Sequence, residues 1–172
     1  MLSPKMLAKL NEQIGHEFYS SNLYLAMSSW FAAQNLRGSA GFLEAHADEE
    51  MMHMRKLFAY VNDSDAQAIV PALDQPPKDF QSLAKAFDQA LEHERFITGK
   101  INALVELALG EKDYATFNFL QWYVSEQHEE ESLFGSVVDL IKLAGTDGRG
   151  LYLVDKEIGK HAKAEVAGGR EG

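Results

Sequence analysis

The chain of 172 residues has no cysteine. Disulfides, thiolate metal sites and iron–sulfur clusters are thereby excluded. Basic residues are scarce as well: 16 Lys and Arg stand against 26 Asp and Glu, a formal net charge of −10. Nucleic acid demands a basic face, so it is not expected as a partner, and an anionic membrane surface is disfavoured for the same reason. No apolar run approaches the roughly 18 residues that suggest a membrane span. The start, Met1-Leu2-Ser3-Pro4-Lys5, lacks the apolar stretch of a secretion signal. Cytoplasmic location is the expectation that follows. The acidic excess that repels phosphates attracts cations.

Proline is rare too, present only at Pro4, Pro71, Pro76 and Pro77, and each lies at the edge of a long uninterrupted segment. Ser3-Pro4 reads as an N-cap with proline at the first helical position. The first helix then runs to about Asn35, where Asn35-Leu36-Arg37-Gly38 supplies a stop. A second spans about Ser39 to Val61, a third about Ser82 to Leu109, and a fourth runs from an N-cap at Asp113 to about Ala144. After the break at Gly145-Thr146-Asp147-Gly148-Arg149-Gly150, a short amphipathic piece covers Leu151 to about His161. Residues 1–161 form one domain by this reading, and 162–172 a flexible tail. Short links after helices one and three imply two antiparallel hairpins. The link between helices two and three, Asn62 to Phe80, is long enough to run the length of a bundle. The expected fold is all-α: an antiparallel four-helix bundle with one long crossover and a short fifth helix.

At steps of three and four residues, each helix has an apolar seam with a polar interruption near its middle. The interruptions are Glu17 in the first, His46, Glu50 and His53 in the second, Glu94 in the third, and Gln127 and Glu130 in the fourth. The third seam is the cleanest, one carboxylate among Leu83, Phe87, Ala90, Ile97, Ile101, Leu104 and Ala108. A glutamate in a core is costly unless it is paired or binds metal. Four together repel, and their protons cannot all leave. No lysine or arginine lies in the seams, whereas two divalent cations would match the four negative charges. Glu50-Met51-Met52-His53 adds an i, i+3 pair able to grip one metal from a single helix. Carboxylate and imidazole without thiolate suit iron or manganese better than copper.

Several stretches resemble the bacterial non-haem ferritins of the ferritin-like superfamily. They are Lys9 to Gln13, Glu17 to Ser21, His46 to Met51 and, above all, Tyr114 to Glu131 (YATFNFLQWYVSEQHEEE), with Gly150-Leu151-Tyr152 and Asp155-Lys156-Glu157 opening the fifth helix. The resemblance covers nearly the whole chain. It implies a ferroxidase centre in each subunit, with Glu17, Glu50 and His53 on the first iron and Glu50, Glu94 and Glu130 serving the second, Gln127 nearby. It implies oxidation of ferrous iron by dioxygen or hydrogen peroxide, and a homo-oligomeric shell of 24 subunits that stores ferric mineral. A third iron site of the family matches Glu49, Glu126 and Glu129, with Glu130 shared. An ordinary solvated acidic face is the alternative for those residues. The family's tyrosine beside the diiron centre matches Tyr24, which either donates an electron or hydrogen-bonds a ligand, or is a core tyrosine with any buried acceptor.

Two neighbouring readings remain. A bacterioferritin binds haem through a methionine at the place of Met51, but carries Glu and His on helix four where this chain has Gln127 and Glu130. No haem is expected on that ground. A soluble diiron oxygenase or peroxidase usually offers two Glu-x-x-His pairs, and only one occurs here.

Overall fold

The computed structural model describes residues 2–145 and 147–168. Five helices follow one another: α1 Pro4–Ala33, α2 Arg37–Asp63, α3 Leu83–Glu111, α4 Tyr114–Ala144 and α5 Gly148–Gly168. No strand occurs among the described residues. Caps set the helix starts. The Ser3 hydroxyl accepts from the Met6 amide at 2.9 Å, Ser82 from Lys85 at 3.2 Å, and Asp113 from Thr116 at 3.0 Å, each satisfying an amide that lacks an intrahelical partner. Lys112, with φ of 58°, makes the left-handed turn that separates α3 from α4.

The α2 start departs from the sequence reading. The stretch Asn35 to Gly38 was expected to stop α1, with α2 beginning near Ser39, but α1 ends at Ala33 and Arg37 and Gly38 already lie in the first turn of α2. The cause is distant in sequence. Leu36 at the N-cap offers no side-chain bond, and the Asp155 carboxylate of α5 takes over. It accepts from the Gly38 amide at 3.0 Å and from the Ser39 amide and hydroxyl, both at 2.8 Å. An acid at the positive end of a helix is also favoured by the helix dipole. The approach needs glycine: a Cβ on Gly38 would lie 1.8 Å from the Asp155 carbonyl oxygen. The fifth helix is longer than the piece from Leu151 to about His161 that the sequence suggests. Thr146 of the expected break and residues 169–172, the end of the expected flexible tail, lie outside the described residues.

The crossover between α2 and α3 is pinned along α1. Asn11 accepts from the Ile69 amide at 2.7 Å, and the Trp30 indole donates to Asp79 at 3.1 Å. Nineteen residues of helix separate those two anchors, about 28 Å, so the link spans most of the bundle and returns the chain to the end where α2 began. Helices α2 and α3 therefore run in the same direction, as a long crossover requires.

The apolar core falls into two clusters. One holds Tyr24, Met27, Phe31, Phe42, Leu43, Phe87 and Phe134, with Val154 and Ile158 of α5; the other holds Leu10, Ile14, Leu57, Ile97, Ile101, Leu120 and Tyr123. On every one of the four long helices, the residues between the clusters are the polar interruptions. The bundle thus carries one polar layer at matched depth between two apolar blocks. No helix of the described residues is long and apolar enough to cross a membrane.

Candidate metal centre

Burial in the polar layer is nearly complete. Glu17 and Glu94 are 0% exposed, Glu50, His53 and Gln127 2%, and Glu130 6%. Glu17, Glu50 and His53 bring one ligand atom each within 4.8 Å of one another. Glu17 comes from α1, and Glu50 and His53 project from one face of α2 because they are three residues apart. Glu17 Oε1 accepts from the Gln13 amide at 2.8 Å, which leaves Glu17 Oε2 buried with no hydrogen-bond partner. Glu50 Oε2 and His53 Nδ1 face each other at 3.4 Å, and neither makes a hydrogen bond. Such unpartnered buried atoms are costly unless a cation completes them.

Glu94 stands opposite on α3 with both oxygens engaged. Tyr24 donates its hydroxyl hydrogen to Glu94 Oε1, and Gln127 Nε2 donates to Glu94 Oε2 at 3.0 Å. Tyr24 is thus bonded to a predicted ligand and does not merely fill the core. Gln127 Nε2 also lies 3.4 Å from the Thr98 hydroxyl, which donates to Glu131 at 2.6 Å. Glu94 does not join a three-residue ligand group, although its charge acts on Glu50. The residues expected to hold a second iron are therefore less assembled than those expected to hold the first.

The residues matched to a third site are gathered in part. Glu49, His53 and Glu126 form one group of converging ligand atoms, and His46, Glu49 and Glu130 form another. Glu129 joins neither group. It is exposed and lines an open hollow of about 440 Å³ with Glu49, Glu126 and Glu130. Sequence reasoning assigned no role to Gln13 or Thr98, although each sits four residues from a seam carboxylate, the spacing that would have found them. Trp122 packs edge-on against His53 at 5.2 Å, with Lys56 Nζ 4.1 Å above its ring.

The electrostatics follow from crowding. Burial, then the charges of Glu17 and Glu94, push the Glu50 carboxyl well above the usual carboxylate range. Burial and Glu130 push Glu94 up to about 8, against the bonds from Tyr24 and Gln127. Burial raises Glu49 and Glu126 as well. Burial and Glu94 raise Tyr24, which keeps its hydroxyl a donor. Without metal, this layer holds protons that a divalent cation would displace.

A pH dependence of stability follows. A carboxyl raised on folding contributes stability at low pH and loses it as pH climbs through the folded value, here from 4.5 to about 8 for Glu94. His93 acts oppositely: burial holds it down at about 4 against 6.5, so its share of stability grows with pH between those values. Between about pH 6.5 and 8 only the carboxyl effect remains. Metal-free protein is expected to lose resistance to urea across that interval, and saturating zinc(II) to flatten the trend. Urea midpoints that stay level without metal would show that the layer is not proton-loaded.

Comparisons with known proteins agree with this geometry. Residues 7–144 match the family model for ferritin, described as the ferritin-like domain. A bacterial non-haem ferritin of Campylobacter jejuni is 54% identical over 158 residues, covering 92% of this chain and 95% of that one. A probable bacterial non-haem ferritin-like protein of Haemophilus influenzae is 52% identical over 159 residues, with 92% and 96% covered. Among solved structures, an open-pore ferritin from the hyperthermophilic archaeon Archaeoglobus fulgidus superposes with a TM-score of 0.90 at 42% identity, over 92% of this chain and 98% of that one.

Proposed function

The chain belongs to the bacterial non-haem ferritins, and from that premise we propose that it oxidises ferrous iron at a centre inside each subunit and stores the ferric product. Membership of the family implies iron storage. The observation that best supports an oxidising centre is the buried Glu17–Glu50–His53 group, whose unpartnered atoms converge from two helices. Ferrous iron is the substrate here. Glu17, Glu50 and His53 would hold one ion. Glu94 and Glu130, with Gln127 close by, would serve a second, and Glu50 would reach both. Each ion gives up one electron, so a pair, with two protons taken from solvent, reduces dioxygen to hydrogen peroxide, or hydrogen peroxide to two waters.

Carboxylates favour the more highly charged product because anionic oxygen binds ferric iron more strongly than ferrous. The neutral Gln127, where an anionic ligand would grip harder, suits a centre that passes iron on. Glu49, Glu126 and Glu129 border the hollow beside the centre and supply an acidic path away from it, a third iron site. The likeness to the Archaeoglobus ferritin supports a homo-oligomer, and the proposal is a shell of 24 copies around a ferric mineral, in the cytoplasm. Bacterioferritin is the neighbouring reading, since Met51 is half-buried at the haem methionine's place; a Soret band in purified protein would establish it.

The deciding experiment loads metal-free protein with excess ferrous iron in air, separates it by size and counts iron per chain. A very large particle with far more iron than its ligands can bind is expected. A small particle holding two or three ions per chain would overturn storage and leave a diiron oxygenase or peroxidase.

A further inference from the structure

The sequence marks His46 as a polar interruption in the seam of α2. Its side chain is 1% exposed, and its surroundings are specific. The ring is wedged against Phe42, with centroids 4.2 Å apart, and edge-on to Phe134 at 5.0 Å. Nδ1 lies 2.9 Å from the Phe42 carbonyl oxygen. A carbonyl can only accept, so Nδ1 carries a hydrogen, and in a neutral ring Nε2 is the nitrogen that would be offered to a metal. Nε2 is 3.5 Å from Glu130 Oε2, a buried carboxylate oxygen with no hydrogen-bond partner. His46 Nε2 and Glu130 Oε2 thus converge in a buried place, with Glu49 completing a group of three ligand atoms within 4.8 Å of one another.

We propose that His46, Glu49 and Glu130 form a divalent transition-metal position of their own, adjoining the Glu49–His53–Glu126 group and sharing Glu49 with it. Helical spacing supports two positions. On α2, His46 and His53 flank Glu49; on α4, Glu126 and Glu130 are four residues apart, about 6 Å along the axis. The acidic third site suggested by family resemblance thereby divides into two steps, each with one imidazole, and Glu49 is the hinge between them. Two carboxylates balance one dication, and the neutral imidazole selects iron(II), cobalt(II) or zinc(II) over magnesium or calcium. The bond from Nδ1 to a backbone carbonyl is the kind of outer contact that fixes a metal-binding histidine. The inference rests on the reading of α2 and α4 as walls of an iron centre.

Anaerobic titration of the metal-free full chain with cobalt(II), followed by calorimetry and visible absorbance, tests it. His46→Phe fills the aromatic nest and removes the donor. It is expected to lose one cobalt(II) per chain, or to weaken one binding step at least tenfold, with the remaining steps unchanged. Unaltered stoichiometry and affinity would overturn the proposal. Should the variant fold poorly, crystals of the unaltered protein soaked in cobalt(II) decide: an anomalous peak about 2.1 Å from His46 Nε2 is expected, and its absence overturns the position. Glu17→Gln, titrated in parallel, separates the two readings. It should weaken the Glu17–Glu50–His53 step and leave the His46 step intact. No change at any step in that variant would count against the diiron centre alone.

Discussion

Glu50→Gln is expected to slow ferrous iron oxidation at least about a hundredfold, the upper range of what losing even an outer partner of a metal ligand costs. The same change is expected to make the metal-free protein harder to unfold at pH 8. In the proposed centre Glu50 would reach both irons, so an amide there would weaken both positions together. It is also a group that burial and the charges of Glu17, Glu94 and Glu130 push well above its usual range. Neutralising it relieves that repulsion while keeping the volume, a gain on the order of 2 kcal/mol. Stopped-flow absorbance of iron oxidation reads the first effect, and urea unfolding of chelator-treated protein reads the second. A variant that oxidises iron at the parent rate would remove Glu50 from the centre. One that lost both activity and stability would show that Glu50 supports the fold and not a destabilising site.

Gly38→Ala carries the second large effect. The added Cβ would sit 1.8 Å from the Asp155 carbonyl oxygen and 2.7 Å from its carbon, and both are backbone atoms that cannot swing aside. Helix α5 must shift, and three bonds from Asp155 to the start of α2 are lost with it. Overpacking and a lost cap together predict a loss of about 3 kcal/mol. Gly41→Ala is the control on the same helix, because a Cβ there meets nothing within 4 Å. Higher helix propensity should then give a gain of up to about 1 kcal/mol. Chemical denaturation of both variants, with protease cleavage within α5 as a local readout, checks the pair. A Gly38→Ala protein as stable as its parent would mean that α5 does not bear on α2 as described.

The bundle and its buried polar layer were legible in sequence because both are written in helical period. Glu94 stood out among seven apolar seam residues, and its depth matched Glu17, Glu50 and Glu130 without any knowledge of contacts. Ser3-Pro4 and Asp113 announced their caps for a similarly local reason. Arg37 and Gly38 were read as part of the stop and not as the start of α2, because Gly38's partner is Asp155, more than a hundred residues away, and nothing nearby in sequence reveals that approach. The ligand groupings were legible only to the level of the helix face. Glu129 shares a face with Glu126 in the sequence pattern, yet its exposure leaves it outside both converging groups. His46 was visible as a polar seam residue, but its direction depends on Phe42, Phe134 and Glu130, which one helix at a time cannot reveal.

The pinned crossover divides this protein into two clasped hairpins. Residues 64–82 carry no member of the metal layer, so each hairpin brings its own share: Glu17, Glu50 and His53 on one side, Glu94, Gln127 and Glu130 on the other. Neither hairpin confronts the full crowd of carboxylates until the two dock. Repulsion between the two shares begins only where the hairpins dock, and a bound cation would act there as a buckle across the seam. A chain opened within the crossover would yield two fragments, each with part of the polar layer, whose reunion such a cation would favour.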